Sequence, residues 1–182
     1  MGFDLNKCYS HPGKLLKVHL ENVASLSKRF TSSDTAELVS LFHDIGKVNP
    51  NFQQKLDGLC PKEYDHHAYL SAYAFFMFLI KNQDMFKELV PQKFNPNNYL
   101  ISLITIIAKH HGDLPDLMPD NGNSILSDNE VTNLYAFLDK TDIPFDEVFS
   151  ELLGLKTSES LSLEMQKVRN AFTSNYSANM YR

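Results

Sequence analysis

The stretch Ala68-Tyr69-Leu70-Ser71-Ala72-Tyr73-Ala74-Phe75-Phe76-Met77-Phe78-Leu79-Ile80 is apolar, aromatic or small at every position. A helix starting around Asp65 and carrying Ala68, Tyr69, Ala72, Phe75, Phe76 and Leu79 is apolar over most of its circumference, and such a helix belongs at the centre of a domain. Its strongest run, Ala72 to Ile80, and a second run, Leu100 to Ala108, are each about half of what crossing a bilayer requires. Both therefore read as core helices, with no membrane partner implied. Around them apolar residues recur at three and four positions, with no sustained alternation of β-branched and polar residues, so the expected fold is all-α.

Upstream, a helix from Pro12 to Phe30 gathers Leu15, Leu16, Val18, Val23, Ala24, Leu26 and Phe30 on one broad face, with Pro12 near its start. His19, four residues from both Leu15 and Val23, points inward with them. A second helix begins at Ser33 or Asp34, with Glu37 in the capping-box position if Asp34 is the cap, and ends near Gly46. That stop sets His43 and Asp44 in the last turn, beside a loop carrying Lys47. A short helix follows Pro50. Downstream, Asn82 to Asn98 is polar, contains Pro91 and Pro96, and reads as a spacer before a fourth helix, Tyr99 to His110, ended by Gly112 and Pro115. A loop at 119–124 and weaker amphipathic helices at about 128–140, 144–153 and 159–172 complete the chain.

The bulk properties fit one globular domain: 182 residues, 43% hydrophobic and 21% charged. The first ten residues hold no apolar core of signal-peptide length, so a cytoplasmic location is expected. Cys8 and Cys60 lie far apart outside any C-x-x-C pattern and read as free thiols. A net charge of −5 argues against a domain that grips nucleic acid by its own electrostatics. A polynucleotide substrate would need a metal site, a partner protein or a further domain to hold it.

All seven histidines fall between residues 11 and 111. Imidazole with carboxylate suits divalent transition metals, whereas an oxygen-only shell suits magnesium or calcium. Neighbouring residues of a regular helix point about 100° apart, so a doublet needs a relaxed helix end to serve one centre. There His43 can reach one metal while the two oxygens of Asp44 bridge two ions, an arrangement that clamps a phosphate ester and activates water. The His110-His111 doublet offers ligands to the second ion. Taken singly, each piece has a plainer reading: His19 as a hydrogen-bonded core residue, His66-His67 and His110-His111 as surface residues at helix ends, Lys47 as a solvated loop lysine. The ordered set is what argues for a site.

Ser10-His11-Pro12, His19-Leu20-x-x-Val23-Ala24, Phe42-His43-Asp44-Ile45-Gly46-Lys47 with Phe52-Gln53, His67-x-x-Leu70-Ser71-Ala72, and Ile107-Ala108-Lys109-His110-His111-Gly112 follow one another over roughly residues 9–115. This run resembles the HD superfamily of phosphohydrolases, and more narrowly the HD nuclease domain of the CRISPR-associated type I helicase-nuclease. The resemblance implies a compact all-α HD-type helical bundle, here a single nuclease domain over 1–182, and two divalent transition-metal ions. Manganese, iron, cobalt or nickel are the candidates, with magnesium or zinc as alternatives. It implies His19 and His43 on the first metal, Asp44 bridging, and His67, His110 and His111 on the second. Lys47 would lie near the scissile phosphate, where an ammonium stabilises developing charge or positions an oxygen. His67 is chosen over His66 for its spacing to Leu70-Ser71-Ala72; His11 is assigned to helix-start packing or the cleft rim.

The implied activity is cleavage of single-stranded DNA in antiviral interference, with a helicase domain or subunit and a CRISPR RNA-guided complex as partners. Tyr64, Tyr69, Phe42 and Phe52 are candidates for stacking on bases, with core packing as the competing reading. The family pattern also includes a later aspartate completing the first metal's shell. Asp139 and Asp142 follow Phe137-Leu138 but fit that setting poorly, so either the ligand is substituted or, as the weak apolar pattern of Thr173 to Arg182 favours, the chain is a fragment expected to end before it. Two other functions stay open: an HD phosphohydrolase acting on nucleotides or cyclic dinucleotides, which the negative charge favours, and a non-catalytic helical scaffold that docks a partner.

Overall fold

In the computed structural model, residues 4–112, 126–154 and 172 are described. The apolar segment forms helix α4 (His67–Lys81), and every residue from Tyr69 to Leu79 is buried. Its neighbours in chain order are α1 (Leu16–Thr31), α2 (Asp34–Phe42), α3 (Pro50–Leu56), α5 (Gln83–Leu89), α6 (Pro96–Ala108), α7 (Asp128–Leu138) and α8 (Phe145–Leu153). Helix α6 lays Leu100, Ile101, Leu103, Ile104 and Ile107 into the same core. The Phe42 ring at the end of α2 packs on Phe75 and Phe78 of α4, with centroids 5.3 and 4.9 Å away, and on Phe149 of α8 at 5.6 Å. Each such fully buried side chain contributes about 1.5–3 kcal/mol relative to exposure. These rings fix the C-terminal end of α2, where the His-Asp doublet begins.

Local chemistry sets the helix ends. Ser33 caps α2 by accepting from the Ala36 amide, and Asn95 caps α6 by accepting from Asn97 and Asn98, with Pro96 as its first residue. The expected start at Tyr99 is thus three residues late, and the helix ends at Ala108, leaving the histidine doublet in the turn beyond it. Helix α4 starts at His67, with His66 as its N-cap. The polar stretch read as a spacer folds its first part into α5, Gln83–Leu89, whose Met85 and Phe86 pack half-buried against the core.

The N-terminal segment departs most from expectation. Residues Tyr9–His11 (β1) and Lys14–Leu15 (β2) pair as a minimal antiparallel hairpin, so the fold is α-helical with one small two-stranded ribbon. Pro12 and Gly13 (φ 75°) make its turn, and α1 begins only at Leu16. The inward face of α1 is correspondingly narrower: Leu16, Leu20 and Ala24 are buried, while Val18, Leu26 and Phe30 are exposed, Phe30 at 81%. Those three do not share the core face assigned to them. The side-chain amide of Gln53 in α3 binds this hairpin, accepting from the Tyr9 amide at 2.9 Å and donating to the Tyr9 carbonyl at 2.9 Å and the Lys47 carbonyl at 2.6 Å. The loop at 119–124 and the helix expected at about 159–172, Phe172 apart, lie outside the described residues.

Candidate metal centre

The segment after α2 tightens into a 3₁₀ turn, Ile45–Val48, all four residues of which are buried. Gly46 makes this possible. A Cβ there would lie 2.1 Å from the His67 carbonyl oxygen and 2.7 Å from the Ser71 amide nitrogen, so only glycine allows the turn to touch α4. The Gly46 amide donates to Ser71 Oγ at 2.8 Å, which ties the turn to the same helix that carries His67. Asn49, fully buried, closes the turn by donating to the Tyr64 carbonyl and by capping α3.

Asp44, 3% exposed, stands at the meeting point. Its Oδ2 lies 3.0 Å from His19 Nε2, 3.4 Å from His43 Nε2 and 2.8 Å from Lys47 Nζ. Its Oδ1 lies 3.1 Å from His67 Nε2 and 3.2 Å from His110 Nε2. His67 Nε2 is in turn 2.8 Å from His111 Nε2. The residues therefore sort into two groups sharing one carboxylate: His19, His43 and Asp44, and Asp44, His67, His110 and His111. All six residues singled out from the sequence as ligands come together here. His66 turns the other way, toward Glu130. His11, exposed on β1, packs edge-on against His19 at 5.6 Å and belongs to the rim. Lys47 is not a solvated loop lysine: 4% exposed, it is ion-paired with Asp44 and lies over the Phe52 ring.

The donor chemistry fits a cation. His43 Nδ1 lies 2.6 Å from the Ser40 carbonyl and His110 Nδ1 2.6 Å from the Ile107 carbonyl. A carbonyl only accepts, so both Nδ1 atoms carry hydrogen, and whenever the ring is neutral its Nε2 turns a lone pair toward the Asp44 oxygens. Lone pairs facing a carboxylate repel unless a positive ion stands between them. Ligand bonds of about 2.0–2.2 Å bring neighbouring donors to roughly 3 Å of one another, the spacing seen here. A backbone acceptor behind a ligating imidazole is also how such rings are oriented.

Protonation favours the same use. Burial alone raises the Asp44 carboxyl, but His110, His43, His67 and the Lys47 ammonium gathered on it outweigh this and hold it well below the usual carboxylate range. Burial lowers His19, His67 and His111, the carboxylate of Asp44 only partly opposing it, so these rings are neutral and available near pH 7. Among the described residues neither group gains a further carboxylate; Asp139 caps the end of α7, and Asp142 follows it. Of the aromatics considered for stacking, Phe42 and Tyr69 are buried in the core. Phe52 lies half-buried against His67 at 5.0 Å, and Tyr64 stacks between His66 and Phe137.

Three supports were not visible in the side-chain pattern. The Ser40 and Ile107 carbonyls that orient the imidazoles are backbone groups with no residue signature. The bridging role of Gln53 joins residues 44 positions apart, and spacing alone does not report it.

The profile of the family described as Cas3, HD domain matches residues 12–173. No curated protein and no solved structure matches the chain. The matched span takes in all six residues gathered on the shared carboxylate together with α1 to α8, and the chain belongs to the Cas3 HD-domain family.

Proposed function

We propose that the chain is a metal-dependent nuclease that hydrolyses single-stranded DNA during type I CRISPR interference. The observation that carries this reading is the two-sided Asp44 carboxylate, with imidazoles converging on both oxygens. Family membership supports a metal-dependent nuclease of type I CRISPR systems. The finer assignments are ours: His19 and His43 would hold one divalent ion and His67, His110 and His111 a second, with Asp44 shared between them. Manganese, iron, cobalt or nickel suits this nitrogen-rich set best. Such ions, when bound, supply Lewis-acid activation of water and neutralise the scissile phosphate.

The chain's own residues do the positioning. Ser40 and Ile107 hold two imidazoles in the ligating tautomer, Ser71 and Gly46 fix the turn that carries Asp44, and Lys47 adds a positive charge at the shared carboxylate. We read residues 1–182 as one HD domain, with its ligands inside 9–115. With a net charge of −5, the strand is delivered by a helicase domain or subunit working with an RNA-guided complex rather than captured by the domain's surface field. We place this activity in the cytoplasm; among the described residues, no helix is long and apolar enough to cross a membrane.

The test uses protein stripped of metal and reloaded with manganese, cobalt or nickel. Single-stranded DNA should be degraded faster than duplex, and Asp44→Ala should lower the rate by about a thousandfold or more. A folded, metal-loaded preparation that leaves single-stranded DNA intact but hydrolyses nucleotides or cyclic dinucleotides would move the assignment to the small-molecule branch.

A further inference from the structure

Next to the centre, the segment before α4 and the helix α7 with the turn after it enclose a cavity of about 410 Å³. Tyr64 and Phe137 give it an aromatic wall, their ring centroids 5.4 Å apart, and the His66 ring lies 5.6 Å from Tyr64. Lys62 and Lys140 stand at its edge, both exposed and neither in an ion pair among the described residues. Of the two carboxylates in the lining, Asp65 is taken up by Lys55 at 2.6 Å and Glu63 is exposed, so positive charge is in excess.

The aromatic wall is fixed relative to the shared carboxylate. Asn49 and Asn51 donate to the Tyr64 carbonyl at 2.9 and 3.1 Å, and Asn49 closes the turn that follows Asp44. Three residues separate Tyr64 from His67, at most about 11 Å of chain. What the cavity holds therefore lies close to the bond the centre would cut. Two polar atoms go unused here: Tyr64 Oη and Glu130 Oε2 are buried with no hydrogen-bond partner among the described residues, His66 Nδ1 approaching the second only to 3.6 Å. Burial, with the Glu130 carboxylate next, pushes the Tyr64 hydroxyl far above its ordinary value, so it stays a donor, while the carboxylate only accepts. Buried groups of this kind call for a partner.

We propose that this cavity is a nucleotide subsite for the single strand, with a base lodged beside Tyr64 and His66 and the phosphate flanked by Lys62 and Lys140. Stacking on an aromatic ring tolerates every base. The unused donor and acceptor add a preference, because an amino group beside a ring nitrogen, as on the pairing edge of adenine or cytosine, answers both; thymine has no amino group. His66, 60% exposed, is free to swing off Glu130 as the base enters. A free nucleotide carries the same groups, and the strand is favoured because the cavity adjoins His67. The proposal rests on the reading of the centre as a single-stranded DNA nuclease.

The test keeps the full chain metal-free, so that nothing is cut, and reads the binding of labelled single-stranded oligonucleotides of about ten residues by fluorescence anisotropy. Lys62→Ala combined with Lys140→Ala should lower the slope of log affinity against log salt by about 1.4, two phosphate contacts at about 0.7 each. Oligo-dA and oligo-dC should bind about threefold or more tighter than oligo-dT, and Glu130→Ala should remove that preference. Strands carrying 5-iodouracil should cross-link under light to the peptide containing Tyr64 and His66. An unchanged salt slope in the folded double variant, cross-links confined to other peptides, or dAMP competing as tightly as the strand each overturns the subsite, and leaves the nuclease standing if the metal-loaded chain still cuts. A loaded chain that binds the strand at this cavity and cuts none overturns the nuclease reading alone.

Discussion

Two turns deliver the groups of the centre, and they are built on different principles. The turn Ile45–Val48, which follows Asp44 and carries Lys47, is buried throughout and pressed onto α4 at Gly46 with no room for one added carbon. The turn after α6, which carries His110 and His111, is half-buried to exposed and is held by short-range backbone bonds, Lys109 N to the Thr105 carbonyl and Gly112 N to the Lys109 carbonyl. The first is shaped by the core, so the shared anion is fixed before any ligand arrives. The second is shaped by its own chain, and it meets the centre only through the side chains of His110 and His111. A change in the first turn should therefore act through folding, and a change in the second through affinity.

The largest break is expected at Gly46. Gly46→Ala has to move either the turn or the first turn of α4, and overpacking of this kind costs about 1–3 kcal/mol or more. Urea denaturation should show that loss together with loss of metal binding; a variant of unchanged midpoint would mean the two segments do not meet as described. Next in size, His111→Ala should weaken metal binding by about tenfold to a hundredfold while the metal-free midpoint stays within about 0.5 kcal/mol. A matching drop in metal-free stability would erase the contrast between the turns. Ser71→Ala sharpens the first case by a smaller step, since it leaves the buried Gly46 amide without its acceptor, at a cost of about 1–3 kcal/mol with no cavity of note.

The smallest effect is the pH dependence of the metal-free protein. Burial lowers His19, His67 and His111 in the folded state, so around and below the ordinary imidazole value the unfolded chain binds more protons than the folded one. Stability then rises with pH, and it should fall as the pH is taken from about 7.5 to 5.5. His67→Gln should flatten that slope, as read from urea midpoints at each pH; an unchanged slope would show that the cluster does not titrate with folding.

Much of the helical fold was legible because the centre of the molecule is encoded by an unbroken apolar run. Ala68 to Ile80 has no polar face to mislead, and the cap residues Ser33 and the Asn95-Pro96 pair are local signals, although in the second helix the apolar pattern begins only at Tyr99. The hairpin at Tyr9–Leu15 was not legible: two- and three-residue strands are too short to show alternation, and the second edge of β1 is held by a side chain from α3. Outward Val18, Leu26 and Phe30 gave α1 the pattern of a wider buried face than it has. The ligand candidates stand in the sequence as an ordered set of histidines and one aspartate, and the fold brings them together around Asp44. What sequence could not supply was the distribution of charge across it, above all that the Lys47 ammonium is buried and ion-paired with Asp44.

Gln53 offers its amide to both the N–H and the C=O of Tyr9, which is what an adjacent strand would do. The ribbon is thus closed at that edge by one side chain standing in for a third strand, and an extended segment of another protein could add there only by evicting it. Because the same amide also holds the Lys47 carbonyl, such an eviction would release the backbone of the residue that guards Asp44. An event on the outer ribbon and the charge balance at the buried carboxylate are one side chain apart.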